Sequence, residues 1–162
     1  MPFEALPFHG RRAIRLRGRN YTADGAYFVT LCAVEGAPVF STREGDGIAL
    51  SPIGAVVADA WRWLSTQYPY VTLDEWCVMP DHLHGIVVLG AARQEVGARE
   101  GRRKSLGELI GAFKTVSTKR INLLRQTPGR VVWQRDFWDH IIRDVDDLNR
   151  IRAYIRDNPR FL

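Results

Sequence analysis

The sequence is poor in cysteine, with only Cys32 and Cys77 among 162 residues. Both sit in apolar runs, so no disulfide scaffold is expected. They read as reduced core thiols of a cytosolic protein. No apolar run approaches the ~20 residues that span a bilayer. The opening stretch MPFEALPFHGRR has no apolar signal-peptide core. The chain is therefore expected to be cytoplasmic, without a membrane partner. It has no internal repeat, which leaves one non-repetitive unit. Acidic residues are also short, 18 against 23 Lys plus Arg, for a net charge of +5 and a pI near 9.6. A basic surface favours a polyanion such as nucleic acid.

What is present is enough for a core. Hydrophobic residues make up 46% of the chain, which excludes wholesale disorder. The length predicts a single domain over residues 1–162. Its basic N-terminal arm, residues 1–24, carries Arg11, Arg12, Arg15, Arg17 and Arg19. Their partial alternation with Ile14 and Leu16 predicts an extended arm or an edge strand. GAYFVTLCAV (25–34) is aromatic and β-branched and predicts a strand. Ser51 and Pro52 open a helix whose buried face is Val57, Ala60, Trp61 and Leu64. YVTLDEWCVM and HLHGIVVLG predict two strands joined at Pro80-Asp81 as a hairpin. Residues 91–104 are charge-mixed and predict a loop.

Ser105 and Glu108 form a capping box for a long helix, buried through Leu106, Leu109, Ile110 and Phe113. TPGR ends it. A last helix runs from an Asp144 N-cap to a stop at Pro159. Strands and helices interleave around a central hairpin. This predicts an α+β sandwich with a mainly antiparallel, ferredoxin-like sheet.

One stretch carries chemistry. In MPDHLHGIVVLG, His82 and His84 share one face of a strand, because side chains alternate. Two imidazoles there can hold one ion, but a firm site needs a third ligand. By themselves the two read rather as structural histidines bonded to backbone. In the last helix Tyr154 and Asn158 are four apart and therefore stacked. Asp147, Ile151, Tyr154 and Asn158 form one stripe at helical spacing. This pair reads either as a core tyrosine with a C-cap or as a phenol and an amide brought to the histidines.

The segments VMPDHLHGIVVL, WQRDFWDHIIRD and LNRIRAYIRDNP carry a resemblance. The first resembles the His-hydrophobic-His motif of HUH single-tyrosine transposases. The other two resemble the C-terminal signature of their REP-associated branch, the RAYT proteins. RRAIRLRGRNYTADGAYFVTLC and FKTVSTKRIN resemble that branch's N-terminal segment and middle helix. The match runs from Arg11 to Pro159.

This resemblance implies an HUH-endonuclease fold. His82 and His84 match metal-ligand positions, Asn158 the third ligand, and Tyr154 the nucleophile. It also implies Mg²⁺ or Mn²⁺, whereas ligand type alone favours Mn²⁺ or Zn²⁺ over Mg²⁺. The implied reaction cuts single-stranded DNA beside a palindromic, REP-like hairpin through a 5′-phosphotyrosine. The protein would act as a monomer or homodimer.

The five arm arginines could track phosphates, as could Lys114, Lys119 and Arg120 on the middle helix. Trp133, Phe137 and Trp138 read as core or as base-stacking groups. His140 reads first as structural and otherwise as a group supporting the metal-binding residues. Asp81 receives no role. The alternatives are a hairpin-binding protein without chemistry and a small-molecule phosphoesterase with two histidine motifs. The second is disfavoured because His9 and His140 make no second H-x-H.

Overall fold

The computed structural model describes residues 24–91 and 102–161. The arginine arm and most of the 91–104 loop lie outside them. Strand β1 (Gly25–Cys32) is followed by a small hairpin, β2 (Ser41–Glu44) and β3 (Gly47–Leu50). Then come α1 (Pro52–Gln67), β4 (Val71–Val78), β5 (His82–Leu89), α2 (Leu106–Arg125), β6 (Trp138–Ile142) and α3 (Val145–Asp157). A four-stranded sheet has the order β4-β5-β1-β6, with every neighbouring pair antiparallel. With β2 and β3 set aside, this is the βαββαβ order of a ferredoxin-like sheet.

The sheet buries both faces because its strands alternate between two apolar sets. Tyr27, Val29, Leu31, Leu83, Val87 and Leu89 join α1 and α2 in the larger core. Phe28 and Ile86 face the other way, against Ile151 and Ile155 of α3. The predicted helix faces are the buried ones: Val57, Ala60, Trp61 and Leu64 are fully buried, as are Leu106, Leu109 and Phe113. Each large apolar side chain among them contributes about 1.5–3 kcal/mol by leaving water. Ser51, Ser105 and Asp144 cap their helices, and the Ser105–Glu108 capping box is complete.

Three features depart from the sequence reading. The β2–β3 hairpin was not foreseen, although Glu44-Gly45-Asp46-Gly47 is a turn signal and Gly45 takes φ +59°. Its strands are short, and β2 is buried only at Ser41, so no clear alternation announces it. The first strand ends at Cys32 rather than Val34, with Ala33 making one further bridge to Trp133. Pro159 does not end the helical path: Asn158–Phe161 continue as a 3-10 helix. Asn158 keeps helical backbone angles (φ −52°, ψ −42°) despite preceding proline, and its N–H donates to the Tyr154 carbonyl.

Gly85 shows how tightly the histidine strand is backed. A Cβ there would lie 2.5 Å from Cζ2 of Trp61 on α1. Gly85→Ala is expected to cost about 1–3 kcal/mol by overpacking. Denaturant unfolding would register this as a lower midpoint with an unchanged slope.

Candidate active site: a histidine pair beneath a tyrosine helix

His82 is the first residue of β5, straight after the turn in which the Met79 N–H donates to the His82 carbonyl at 2.8 Å. His84 lies deeper, buried at 1% exposure. It stands opposite Thr30 on β1 and Cys77 on β4, while His82 stands opposite Cys32. The two rings are 4.6 Å apart between centroids, and their Nε2 atoms lie 3.1 Å apart.

Each ring has a partner at its other nitrogen. His82 Nδ1 is 2.7 Å from Asp81 Oδ1, and His84 Nδ1 is 2.8 Å from Thr30 Oγ1. An ionised carboxylate only accepts, so His82 donates Nδ1–H to it, and in the neutral ring Nε2 is then a lone pair. The Thr30 hydroxyl can accept or donate. When it accepts from His84, two lone pairs meet across 3.1 Å, an arrangement that a cation between them relieves. When it donates, His84 carries its proton on Nε2 and gives it to His82. Thr30 therefore suits the pair with or without an ion. Burial, and then the neighbouring His82, push the His84 pKa down to about 3, which keeps its imidazole neutral.

Two imidazole nitrogens bound to one ion at about 2.0–2.1 Å sit about 2.8–3.4 Å apart, from octahedral to tetrahedral angles. The observed 3.1 Å separation falls inside that range. The described residues include no group of three His, Cys, Asp or Glu placed to share an ion. A third protein ligand from the described residues would therefore be of another residue type.

Helix α3 brings Tyr154 over the pair. Its ring centroid is 5.5 Å from that of His84 and 6.0 Å from that of Phe28. Burial raises the Tyr154 pKa, and a side-chain hydrogen bond with Asn158 works against that rise. A bond that favours the phenolate is one in which the amide N–H donates to the phenol oxygen.

The helix is tied to both edges of the sheet. Arg152 grips Asp74 on β4 with contacts of 2.8 and 2.6 Å, and Arg156 lies 3.6 Å from Glu75. Asp74 and Glu75 occupy the register shift between Leu73 and Trp76. The Arg152 guanidinium holds the Asp74 carboxyl below its usual range. At the other edge His140 of β6 meets Asp147 of α3 at 2.9 Å, and Arg150 also binds Asp147.

The remaining predicted residues separate clearly. Lys114 donates to the carbonyls of Gln134, Arg135 and Asp136 and lies over the Phe137 ring. Lys119 and Arg120 are exposed on α2. Trp133 and Phe137 belong to the larger core. Trp138 is half-buried, edge-on to Phe28 and stacked on His140. Arg11, Arg12, Arg15, Arg17 and Arg19 lie outside the described residues. The sequence reading missed two residues. Asp81 was readable as a carboxylate beside a histidine, whereas Thr30 is 54 positions from His84 and becomes its neighbour only through strand register.

No family model matches the chain. An uncharacterised protein of Haemophilus influenzae is 32% identical over 93% of this chain and 89% of its own length. A second Haemophilus influenzae protein, named for the REP-associated tyrosine transposases, is 27% identical over 87% of this chain and 73% of its own. The solved structure of a REP-associated tyrosine transposase bound to a REP hairpin superposes with TM-score 0.62. It is 23% identical and covers 87% of this chain and 70% of that one. By sequence the chain is similar to a REP-associated tyrosine transposase over most of its length. Its α+β sheet and helices are the fold of the hairpin-bound transposase. Among the described residues, no helix is long and apolar enough to cross a membrane.

Proposed function

We propose that this chain is a metal-dependent endonuclease and strand transferase acting on single-stranded DNA beside a palindromic hairpin. The observation that carries the reading is the meeting of Tyr154 with a converging histidine pair. The Tyr154 ring is 5.5 Å from His84, whose Nε2 is 3.1 Å from that of His82. The hairpin is proposed from the relative whose solved structure is bound to one.

His82, His84 and Asn158 would hold Mg²⁺ or Mn²⁺. Such an ion polarises the scissile phosphate and steadies its charge. Tyr154 attacks phosphorus through Oη, the P–O3′ bond breaks, and the 3′-oxygen takes up a proton. A 5′-phosphotyrosine and a 3′-hydroxyl result. The new ester keeps the energy of the phosphodiester, so the 3′-hydroxyl can reverse the step or another strand can be joined. No nucleotide cofactor is needed. The raised Tyr154 pKa keeps the phenol protonated at rest, so its proton must leave as the bond forms, and the Asn158 N–H steadies the developing negative oxygen.

The reading is tested with end-labelled hairpin DNA carrying its natural single-stranded flank, Mn²⁺ and the intact protein. A protein–DNA band that survives denaturation is expected. A protein that binds this DNA without forming such a band would instead be a hairpin-binding protein with no chemistry.

Thr30 gives a further expectation. Thr30→Val keeps the shape but removes the partner of His84 Nδ1. Loss of such an orienting bond typically lowers metal affinity 10–100-fold. Titration calorimetry with Mn²⁺ would measure the change, and thermal unfolding without metal would confirm that the fold is kept.

A further inference from the structure

From Leu109 to Arg135 the chain has no Asp or Glu but holds Lys114, Lys119, Arg120, Arg125, Arg130 and Arg135. That local excess of six exceeds the net charge of the whole chain, +5. Lys114 is spent on backbone carbonyls. Lys119 and Arg130 are exposed and border a groove of about 860 Å³ between the second half of α2 and residues 128–133. Apolar groups line it as well, namely Leu123 at 82% exposure, Val131 at 67%, Pro128 and Trp133.

The combination selects an occupant. The outside of a duplex offers phosphates but little apolar surface, whereas unstacked bases offer both apolar faces and a phosphate chain. A second copy of this chain would bring its own cations into an acid-free groove. The volume compares with the ~300–1,000 Å³ of clefts that enclose small ligands, so it has room for more than one unpaired nucleotide.

We infer that this groove is a second DNA site, one that binds single-stranded DNA without sequence preference. Lys119 and Arg130 meet phosphates, and Leu123 and Val131 meet base faces. The groove lies on the α2 side of the sheet, away from α3. Its Trp133 bridges Ala33, next to Cys32, which stands opposite His82. The groove therefore opens at the histidine end of the sheet, where an unpaired flank leaving the site can turn round the edge into it. Only this origin of the strand rests on the endonuclease reading.

Fluorescence anisotropy with labelled oligo-dT, set beside a blunt hairpin without a flank, tests the groove. K119A/R130A is expected to lower oligo-dT affinity at least tenfold. The salt slope should become shallower by about 1.4, at about 0.7 per single-strand phosphate contact. Blunt-hairpin binding should stay unchanged, and K119R/R130K should bind oligo-dT like the wild type. L123S should weaken oligo-dT severalfold with the salt slope intact, which separates apolar from ionic contact.

Oligo-dT binding that survives K119A/R130A overturns the inference. So does a concentration-dependent dimer that L123S/V131S abolishes while oligo-dT binding persists, since the face would then join copies of the chain. If no adduct forms but oligo-dT binding needs Lys119 and Arg130, the endonuclease reading falls and the groove stands. The reverse pattern removes the groove alone.

Discussion

Tyr154→Phe is expected to bind flanked hairpin DNA with affinity close to that of the wild type and to form no denaturation-resistant adduct. The substitution removes one oxygen and leaves the ring that packs 5.5 Å from His84 and 6.0 Å from Phe28. Little stability is at stake beyond the Asn158 bond, about 0.5–1.5 kcal/mol. The chemistry, by contrast, loses its nucleophile, and losses of that kind reach roughly 10⁴–10⁶-fold in rate. Adduct yield on a denaturing gel, with anisotropy as the binding control, reads both halves. An adduct formed by Tyr154→Phe would move the nucleophile to another residue.

His84→Ala carries the second large effect. Wild-type protein is expected to gain thermal stability on adding Mn²⁺, by about 2.7 kcal/mol at a hundred times the dissociation constant. In the variant that gain should vanish, together with the adduct. Comparing each protein with and without Mn²⁺ cancels the packing cost of the substitution.

His84 also sets a pH dependence in the metal-free protein. Its folded-state pKa, near 3, lies below the ordinary 6.5, so the unfolded chain takes up a proton first. The associated stability is present above pH 6.5 and is lost as pH falls towards 3, by about 1.4 kcal/mol per unit. Urea unfolding with a chelator at pH 7 and pH 5 should show this slope in the wild type, and His84→Ala should show less of it. An unchanged slope would mean that His84 is not buried in its neutral form.

Much of this arrangement was legible because two periodicities are rigid. Period two put His82 and His84 on one face and their apolar neighbours on the other. Helical spacing put Asn158 one turn after Tyr154. The capping box at Ser105 and the N-cap at Asp144 marked where two helices begin. Long-range partners were not legible. Thr30 reaches His84 only because β1 pairs with β5 in one register. The Asp74–Arg152 clamp depends on a register shift in β4 that no residue type announces. Lys114 looked like a phosphate contact, but three carbonyls 20–22 positions later surround its ammonium. The 3-10 turn after α3 outweighed the usual meaning of proline, because the backbone and side chain of Asn158 both remain bonded to Tyr154.

The most direct test of a tyrosine nucleophile above a histidine pair is mass spectrometry of the wild-type adduct after nuclease and trypsin digestion. The tryptic peptide Ala153–Arg156 contains Tyr154 as its only tyrosine. That peptide should carry the mass of a 5′-linked nucleotide, and only in samples incubated with Mn²⁺ or Mg²⁺. An unmodified Ala153–Arg156 peptide alongside a nucleotide on any other residue would contradict it.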